Sequence, residues 1–167
     1  MKKLILLLLF IPLVSFGQSS YKVEKITDID YNDNVVFPEK KDFLDIYLPK
    51  GEGNYPVIVY FHGGALIAGS KEMGKDIGEK LAKNGIGFVS ANYRLSPTAK
   101  YPDHLNDAQT ATDWTFNNIE PLGGDLKNIY VCGHSAGAYL AAVLALNKDL
   151  KIHKMRKIKG AILISPF

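Results

Sequence analysis

The sequence predicts an α/β fold in which a mostly parallel sheet is flanked by helices. Four short segments have the apolar, β-branched character of strands that are covered on both faces, and Val57–Phe61 is the clearest of them. Between these segments, apolar residues recur at spacings of three and four, which indicates amphipathic helices. Strands that alternate with helices in this way predict parallel pairing through right-handed crossovers.

An antiparallel pair of strands is predicted ahead of this alternation, at one edge of the sheet. Tyr21–Ile29 is compatible with a strand and is followed by the turn residues Asn32–Asn34. Phe43–Leu48 alternates between apolar and polar residues, and Pro49 ends it. The core strands are then predicted at Val57–Phe61, Ile86–Asn92, Ile129–Cys132 and Gly160–Ile164. Helices are predicted at Lys71–Lys83, Leu105–Ile119 and Ala136–Leu146.

The segment Met1–Gly17 is predicted to be a secretory signal peptide rather than part of the fold. Two lysines precede the apolar run Leu4–Val14, and the small residues Ser15 and Gly17 follow it. The run is too short for a membrane span, which needs about 20 apolar residues. We therefore expect cleavage after Gly17, one domain over residues 18–167, and a secreted or periplasmic protein without a membrane span.

Composition and charge exclude several other classes of protein. The 167 residues are 47% apolar and 22% charged, which suits a globular domain with a core and excludes global disorder. Without residues 1–17 the chain carries 18 basic and 17 acidic residues, so we expect no nucleic-acid partner. Cys132 is the only cysteine and is expected to be a buried apolar residue; we expect no metal and no cofactor. No pattern indicates an oligomeric state.

The strongest chemical signal is the G-x-S-x-G motif at Gly133–Gly137. A predicted buried strand leads into it and a predicted buried helix leaves it, which is the context that a nucleophile elbow requires. The glycines allow a sharp turn, and Ser135 would present its hydroxyl at the N-terminus of the helix, where negative charge is favoured. We therefore predict Ser135 as a catalytic nucleophile. The alternative is a glycine turn that contains a serine without catalytic meaning.

A second motif, His62-Gly63-Gly64-Ala65, directly follows the first predicted core strand. Acyl transfer forms an oxyanion, which is stabilised by backbone N–H groups that already point at it. The predicted donors of this oxyanion hole are the amides of Gly64, Ala65 and Ala136. Gly63 would shape the turn and His62 would order the loop, so both are predicted to border the binding site. A plain turn at the end of a strand is the alternative.

Together the two motifs resemble the esterase and lipase branch of the α/β-hydrolases. Asp45–Pro49 and Asn92–Pro97 are similar to further landmarks of that branch, and the resemblance covers about residues 40 to 167. It is closest to bacterial carboxylesterases related to acetyl-xylan and feruloyl esterases. The resemblance implies the α/β-hydrolase fold and a serine hydrolase that cleaves small-molecule or carbohydrate esters through an acyl-enzyme on Ser135. Ala65 stands where many relatives have a third glycine, but only its N–H is needed.

The same resemblance implies that two catalytic residues are missing. In this fold the acid and the histidine follow the serine along the chain, and the family places them after two further strands. After Ser135 the sequence holds one carboxylate, Asp149, and one histidine, His153. The intervening helix runs about 16 Å at 1.5 Å per residue and carries both away from the serine. We therefore expect a C-terminally truncated domain that lacks the last two strands, leaves the edge of Gly160–Ile164 unpaired, and is inactive alone.

Other polar residues are interpreted without catalytic roles. His134 is expected to point away from the nucleophile beside it, and His104 is expected at the surface. Arg94 and Asp107 are expected to pair and brace the intervening loop. Two alternative functions stay open. One is a serine peptidase of the same superfamily, which Ala138 disfavours because those relatives usually have a second glycine there. The other is a non-catalytic hydrolase-like protein that binds ligands.

Overall fold

A computed structural model describes residues 20–32, 37, 40–51, 53–147 and 158–166 of the protein. The expected signal peptide lies outside these residues, as do Asp149, His153 and most of the predicted turn Asn32–Asn34. Within the described residues the strands form one sheet, with helices on both of its faces.

The sheet combines an antiparallel edge with a parallel centre. Its strands are β1 (Val23–Asp30), β2 (Phe43–Pro49), β3 (Tyr55–Phe61), β4 (Gly87–Ala91), β5 (Gly124–His134) and β6 (Gly160–Ile164). Their order across the sheet is β1-β2-β4-β3-β5-β6. β2 runs antiparallel to both β1 and β4, whereas β4, β3, β5 and β6 are parallel. The predicted antiparallel edge and the predicted parallel sheet are both confirmed.

Helices cover the sheet on both faces because the central strands are apolar on both sides. The helices are α1 (Lys75–Lys83), which follows a 3₁₀ turn at Lys71–Gly74, α2 (Asp103–Asn118) and α3 (Ala136–Leu146). Val57, Val59 and Phe61 of β3 belong to the larger apolar cluster, to which α2 and α3 contribute. Ile58 and Tyr60 belong to a smaller cluster with α1. This alternation follows from the two-residue period of a strand.

Two expectations about burial are corrected by the structure. The strand β6 is not covered on both faces, because Ile162, Leu163 and Ile164 are each about two-fifths exposed at 40–43%. The helix α3 is not buried all round, because Tyr139 is 37% and Leu146 is 77% exposed. β6 lies at the end of the strand order, so it has a neighbour on one side only among the described strands. The unpaired edge expected there is confirmed for the part of the chain that the structure describes.

The connections between strands create a crevice at the carboxyl end of the sheet. From β3 the chain passes through α1 to β4 on one side of β3, and then through α2 to β5 on the other side. In open α/β sheets, ligands bind outside the carboxyl ends of the strands where the strand order reverses in this way. Both sequence motifs lie at that point, because one follows β3 and the other follows β5.

Candidate active site

The pairing register of β3 and β5 brings the two motifs side by side. The strands run parallel, and Phe61 lies opposite Gly133. Two residues further along, the same register places Gly63 beside Ser135. A Cβ atom built on Gly63 would lie 3.3 Å from Ser135 Cβ and 2.7 Å from His134 Nδ1. Because Gly63 has no side chain, the loop after β3 can approach the serine turn closely. The left-handed conformation in this loop is adopted by Gly64, with φ 118°.

Ser135 lies in a sharp turn between β5 and α3. Its φ of 50° and ψ of −118° are values that a residue with a side chain rarely adopts. The neighbouring glycines make this turn sterically possible. A Cβ on Gly133 would overlap the carbonyl of Gly137, and a Cβ on Gly137 would overlap the carbonyl of Phe61. The Ser135 N–H also donates to the Ile164 carbonyl at 2.9 Å, so β6 holds the turn from the other side.

The loop after β3, which we call the oxyanion loop (residues 62–70), is folded tightly on itself. Four of its residues have positive φ angles, of 118°, 54°, 62° and 103°: Gly64, Ala65, Leu66 and Gly69. The Gly64 carbonyl accepts hydrogen bonds from the amides of Ile67 at 2.9 Å and Ala68 at 3.0 Å. A left-handed conformation costs a residue with a Cβ about 1–2 kcal/mol, so contacts outside the loop must hold Ala65 and Leu66.

Three backbone N–H groups at this site are free to donate to a ligand. The N–H of Ala136 lies in the first turn of α3, where no carbonyl of the same helix can reach it. The amides of Gly64 and Ala65 likewise donate to no acceptor within the described part of the chain. Unpaired N–H groups close to a serine hydroxyl are the donors that a developing oxyanion needs.

His62 is buried behind the oxyanion loop and holds it in place. Its ring is 1% exposed and stacks on Tyr93 with 4.3 Å between ring centroids, and the Tyr93 hydroxyl donates to the His62 carbonyl at 2.7 Å. Nδ1 donates to the Gly63 carbonyl at 2.7 Å, whereas Nε2 has no partner among the described residues. Burial lowers the pKa of His62 to about 4, so the ring is neutral at neutral pH. These contacts suit an ordering residue and not a base.

The expectation that His104 is a surface residue is wrong. It is 5% exposed in the first turn of α2, and its Nε2 lies 3.3 Å from Ser96 Oγ. The loop that precedes α2 folds back over the start of the helix, which a helix N-terminus in the sequence does not reveal. Burial lowers the pKa of His104. Of the histidines that the structure describes, none forms a hydrogen bond with Ser135.

An apolar cavity of about 370 Å³ adjoins the oxyanion loop and α3. Its wall consists of Leu66, Tyr101, Leu105, Tyr139 and Leu140, with Ser96 and His104 as its polar pair. Leu66 belongs to the oxyanion loop, and Tyr139 lies one turn beyond Ser135 on α3, so the cavity lies next to the candidate nucleophile. A second cavity, of about 450 Å³, shares Ser96 with the first and extends towards Arg94 and Phe37.

Arg94 and Asp107 form the pair that the sequence predicts. The Asp107 carboxylate accepts from Arg94 Nη2 at 2.7 Å, from Nε at 2.8 Å and from the Arg94 backbone N–H at 2.9 Å. Asp107 is buried at 5% exposed, so the pair is more than a solvated surface contact. It fixes the chain that leaves β4 to the first half of α2, and thereby supports the loop that carries Ser96.

Two residues that shape the site were not predicted from the sequence. Tyr93, which stacks on His62, lies in the landmark Asn92–Pro97, and an aromatic residue directly after a buried strand is a signal that could have found it. Lys71 is buried at the end of the oxyanion loop, where Ser70 and Glu72 flank it. A lysine between polar residues gives no sign of burial in the sequence.

Within the described ranges, the structure shows no group of three histidine, cysteine, aspartate or glutamate side chains that could hold a metal ion. In the same part of the chain, no helix has both the length and the apolar character to cross a membrane. Cys132 is buried, and burial raises the pKa of its thiol to about 11, which confirms its interpretation as an apolar residue.

Comparison with known protein families matches residues 44–161 to the BD-FAE family, a span that includes both motifs. The chain belongs to the BD-FAE family. This BD-FAE chain is 36% identical over 125 residues to an isoprenylcysteine alpha-carbonyl methylesterase of Arabidopsis thaliana, over 74% of the chain and 29% of that protein. It is 37% identical over 95 residues to the esterase LipC of Mycobacterium tuberculosis, over 56% of the chain and 24% of that protein. The chain thus spans less than a third of the length of these relatives.

Solved structures show the same architecture. Esterase B of Lactobacillus rhamnosis superposes with a TM-score of 0.73 at 21% sequence identity, over 86% of the BD-FAE chain and 48% of that protein. At this level of identity the likeness concerns the fold alone. The α/β-hydrolase fold implied by the two motifs is confirmed.

Proposed function

We propose that the protein is a serine carboxylesterase with Ser135 as its nucleophile. The observation that carries the proposal is the position of Ser135, which lies in a strained turn beside Gly63, next to the unpaired amide of Ala136 and close to the loop that carries those of Gly64 and Ala65. Membership of the BD-FAE family supports the reaction class, because the relatives that align with this chain are named as esterases.

The reaction would run through an acyl-enzyme. A histidine base takes the proton of Ser135 Oγ as the oxygen attacks the ester carbonyl carbon, and the carbonyl oxygen becomes an oxyanion. The amides of Gly64, Ala65 and Ala136 receive this oxyanion. Its collapse breaks the ester C–O bond, the base returns the proton to the leaving alcohol, and water then hydrolyses the acyl-enzyme by the same route. Because the base follows the serine along the chain in this fold, His62, His104 and His134 do not take this role.

The 370 Å³ cavity would hold the acyl group of the ester. The base must protonate the leaving alcohol, so the alcohol lies on the side of the base. The family resemblance places the acid and the histidine after two further strands; if these strands pair beyond β6, both residues approach from the β6 side of the sheet. Most of the cavity wall comes from the chain after β3 and β4, on the other side of the sheet order from β6, and Tyr139 and Leu140 of α3 complete it. An apolar wall suits an acyl chain, and an alcohol on the open side can be large and polar, as in a carbohydrate ester.

Active-site labelling tests the nucleophile directly. The complete gene product is incubated with a fluorophosphonate probe, and the labelled peptide is identified by mass spectrometry. We expect one labelled serine, Ser135, and loss of labelling in Ser135→Ala. Ser165→Ala is the matched control, because Ser165 also follows a parallel strand, is exposed and has a positive φ of 46°. Labelling that persists in Ser135→Ala would show that another residue is the nucleophile.

We also propose that the protein is exported, on the strength of the basic, apolar and small residues of Met1–Gly17. Mass spectrometry of the protein recovered outside the cytoplasm should find an N-terminus at or near Gln18. Recovery with Met1–Gly17 intact would contradict the proposal.

A further inference from the structure

Lys71 is a buried cation at the point where the oxyanion loop returns to the sheet. Its side chain is 5% exposed, and Nζ lies 2.7 Å from Asp45 Oδ1, 3.0 Å from Asp28 Oδ1 and 3.3 Å from Glu72 Oε1. Asp45 is buried to the same extent. Burial disfavours the charge of Lys71, but the bonds to Asp45 and Asp28 outweigh burial and raise its pKa. The ammonium group is therefore charged at neutral pH.

The backbone of Lys71 is fixed as well. Its N–H donates to Asn92 Oδ1 at 2.6 Å, and its carbonyl accepts from Ser90 Oγ at 2.7 Å. Ser90 belongs to β4, Asp45 to β2 and Asp28 to β1. The oxyanion loop thus begins directly after β3 and ends next to Lys71, which is bonded to residues of β1, β2 and β4.

The oxyanion loop needs such an anchor because its own conformation is unfavourable. Ala65 and Leu66 both have left-handed φ angles, and such strain persists only where the surroundings enforce it. The middle of the loop has one backbone contact with the next segment, from the Ser96 N–H to the Leu66 carbonyl at 2.8 Å. The loop is also attached at its two ends, to β3 and to Lys71. A shift at Lys71 would therefore move the amides of Gly64 and Ala65.

We infer that Lys71 is a positioning residue for the proposed oxyanion hole, and that its ion pairs with Asp45 and Asp28 fix the orientation of the Gly64 and Ala65 N–H groups. This inference rests on the proposed function. A buried ion pair adds little net stability, because the loss of hydration offsets the attraction of the charges. Under this inference the pair acts by selecting one geometry, since moving the cation would leave a buried carboxylate unpaired. The role of Lys71 is accordingly expected in kcat rather than in substrate affinity.

The first test compares Lys71→Met with its parent in the complete gene product, with an aryl ester as substrate. We expect kcat to fall by about 10- to 100-fold, because a misplacement of about 1 Å at a reacting centre can cost about 100-fold. KM should change much less than kcat, because Leu66 alone among the lining residues of the 370 Å³ cavity belongs to the oxyanion loop. Lys71→Arg, which keeps the charge, should recover most of kcat. Lys40→Met is the matched control, because Lys40 is exposed and also contacts Asp28, at 3.0 Å.

A second pair of variants separates positioning from stability. Lys71→Met leaves Asp45 as an unpaired buried carboxylate and can lower Tm, whereas the double variant Lys71→Met with Asp45→Asn removes both charges. We expect Tm to recover in the double variant while kcat stays low. If kcat returns together with Tm, or if a folded Asp45→Asn or Lys71→Met keeps kcat within about twofold of the parent, the inference is overturned. A parent without turnover and without a labelled Ser135 would instead overturn the proposed function, and the inference with it.

Discussion

Gly63 is the residue that faces the serine turn most closely. A Cβ atom at this position would lie 2.7 Å from His134 Nδ1, 3.0 Å from the His134 carbonyl oxygen and 3.3 Å from Ser135 Cβ. A distance of 2.7 Å forces the His134 ring to move, and the contacts at 3.0 and 3.3 Å also require the backbone of the serine turn or of the oxyanion loop to shift. The requirement for glycine therefore comes from the approach of two loops, since Gly63 itself has no left-handed φ.

Gly63→Ala should lower kcat/KM for an aryl ester by about 10- to 100-fold, because it pushes the oxyanion loop away from Ser135, and a misplacement of about 1 Å can cost about 100-fold. Tm should fall only modestly. Gly53→Ala is the control, since a Cβ on Gly53 meets no atom within 4 Å. Steady-state kinetics and thermal melts of the two variants measure both effects. Equal kcat/KM in the Gly63→Ala variant and the parent would contradict the close approach.

The buried His62 predicts a pH-dependent stability. Its folded-state pKa of about 4 lies below its ordinary value of 6.5, so the unfolded chain binds more protons than the folded chain between these pH values. The free energy of unfolding should therefore fall as pH is lowered from about 6.5 to about 4, by at most about 1.4 kcal/mol per pH unit from this group. Urea denaturation of the parent and of His62→Gln between pH 4.5 and 7.5 isolates the effect as a difference in slope. Parallel pH profiles would show that His62 is not the titrating group.

The sequence predicted the turn glycines of the site but not the burial of two of its polar side chains. The glycines at 63, 64, 133 and 137 were predicted as parts of turns because their spacing is local, and the structure places them at the two strand ends. The burial of His104 and Lys71 was not predicted. Lys71 is buried by strands β1 and β2, which are distant in the chain and supply the carboxylates around it, whereas His104 is covered by Ser96 of the loop that precedes α2. A polar side chain in the sequence does not reveal such partners.

At the scale of elements, the order of strands determines which loops lie on each side of Ser135. β3 and β4 supply the loops on one side of the crevice, and β6 lies on the other. Continuous apolar runs in the sequence predict these strands. The spacing of Leu105, Ala108 and Phe116 predicts α2, and all three residues are buried in the structure. It did not predict the exposed face of α3. Tyr139 is exposed there because it lines the cavity instead of packing against the sheet.

The proposed acyl cavity predicts a change of selectivity in Tyr139→Ala. Removal of this ring enlarges the apolar cavity beside Ser135, so longer acyl chains should be favoured over acetyl. The ratio of kcat/KM for hexanoyl and acetyl aryl esters should rise by about tenfold, since one or two methylene groups in an apolar pocket are worth about 1–3 kcal/mol. Leu146→Ala is the control, because Leu146 is 77% exposed at the far end of the same helix. An unchanged ratio in Tyr139→Ala would place the acyl group elsewhere.

At the scale of the whole molecule, the carboxyl ends of β3 and β5 position the candidate site. The proposed reaction also requires a side chain that takes the proton of Ser135. The described residues supply the candidate nucleophile, the amides proposed as the oxyanion hole and the cavity, but none of their histidines hydrogen-bonds Ser135. A serine hydroxyl is a weak nucleophile without an adjacent base. β6, whose apolar side chains are partly exposed, forms one edge of the sheet in the described part of the chain.

Residues 18–167 taken alone should therefore show little turnover of a short-chain aryl ester. Unpaired amides and a binding surface without the catalytic residues retain about 10³- to 10⁴-fold catalysis over water, well below a working esterase. The polypeptide should also self-associate with rising concentration, because an exposed apolar edge strand offers unpaired backbone groups to a second strand. Leu163→Lys should reduce this association, measured by light scattering. The ester assay includes Ser135→Ala as its reference, and rapid turnover that this substitution abolishes would mean that a histidine within these residues reaches Ser135.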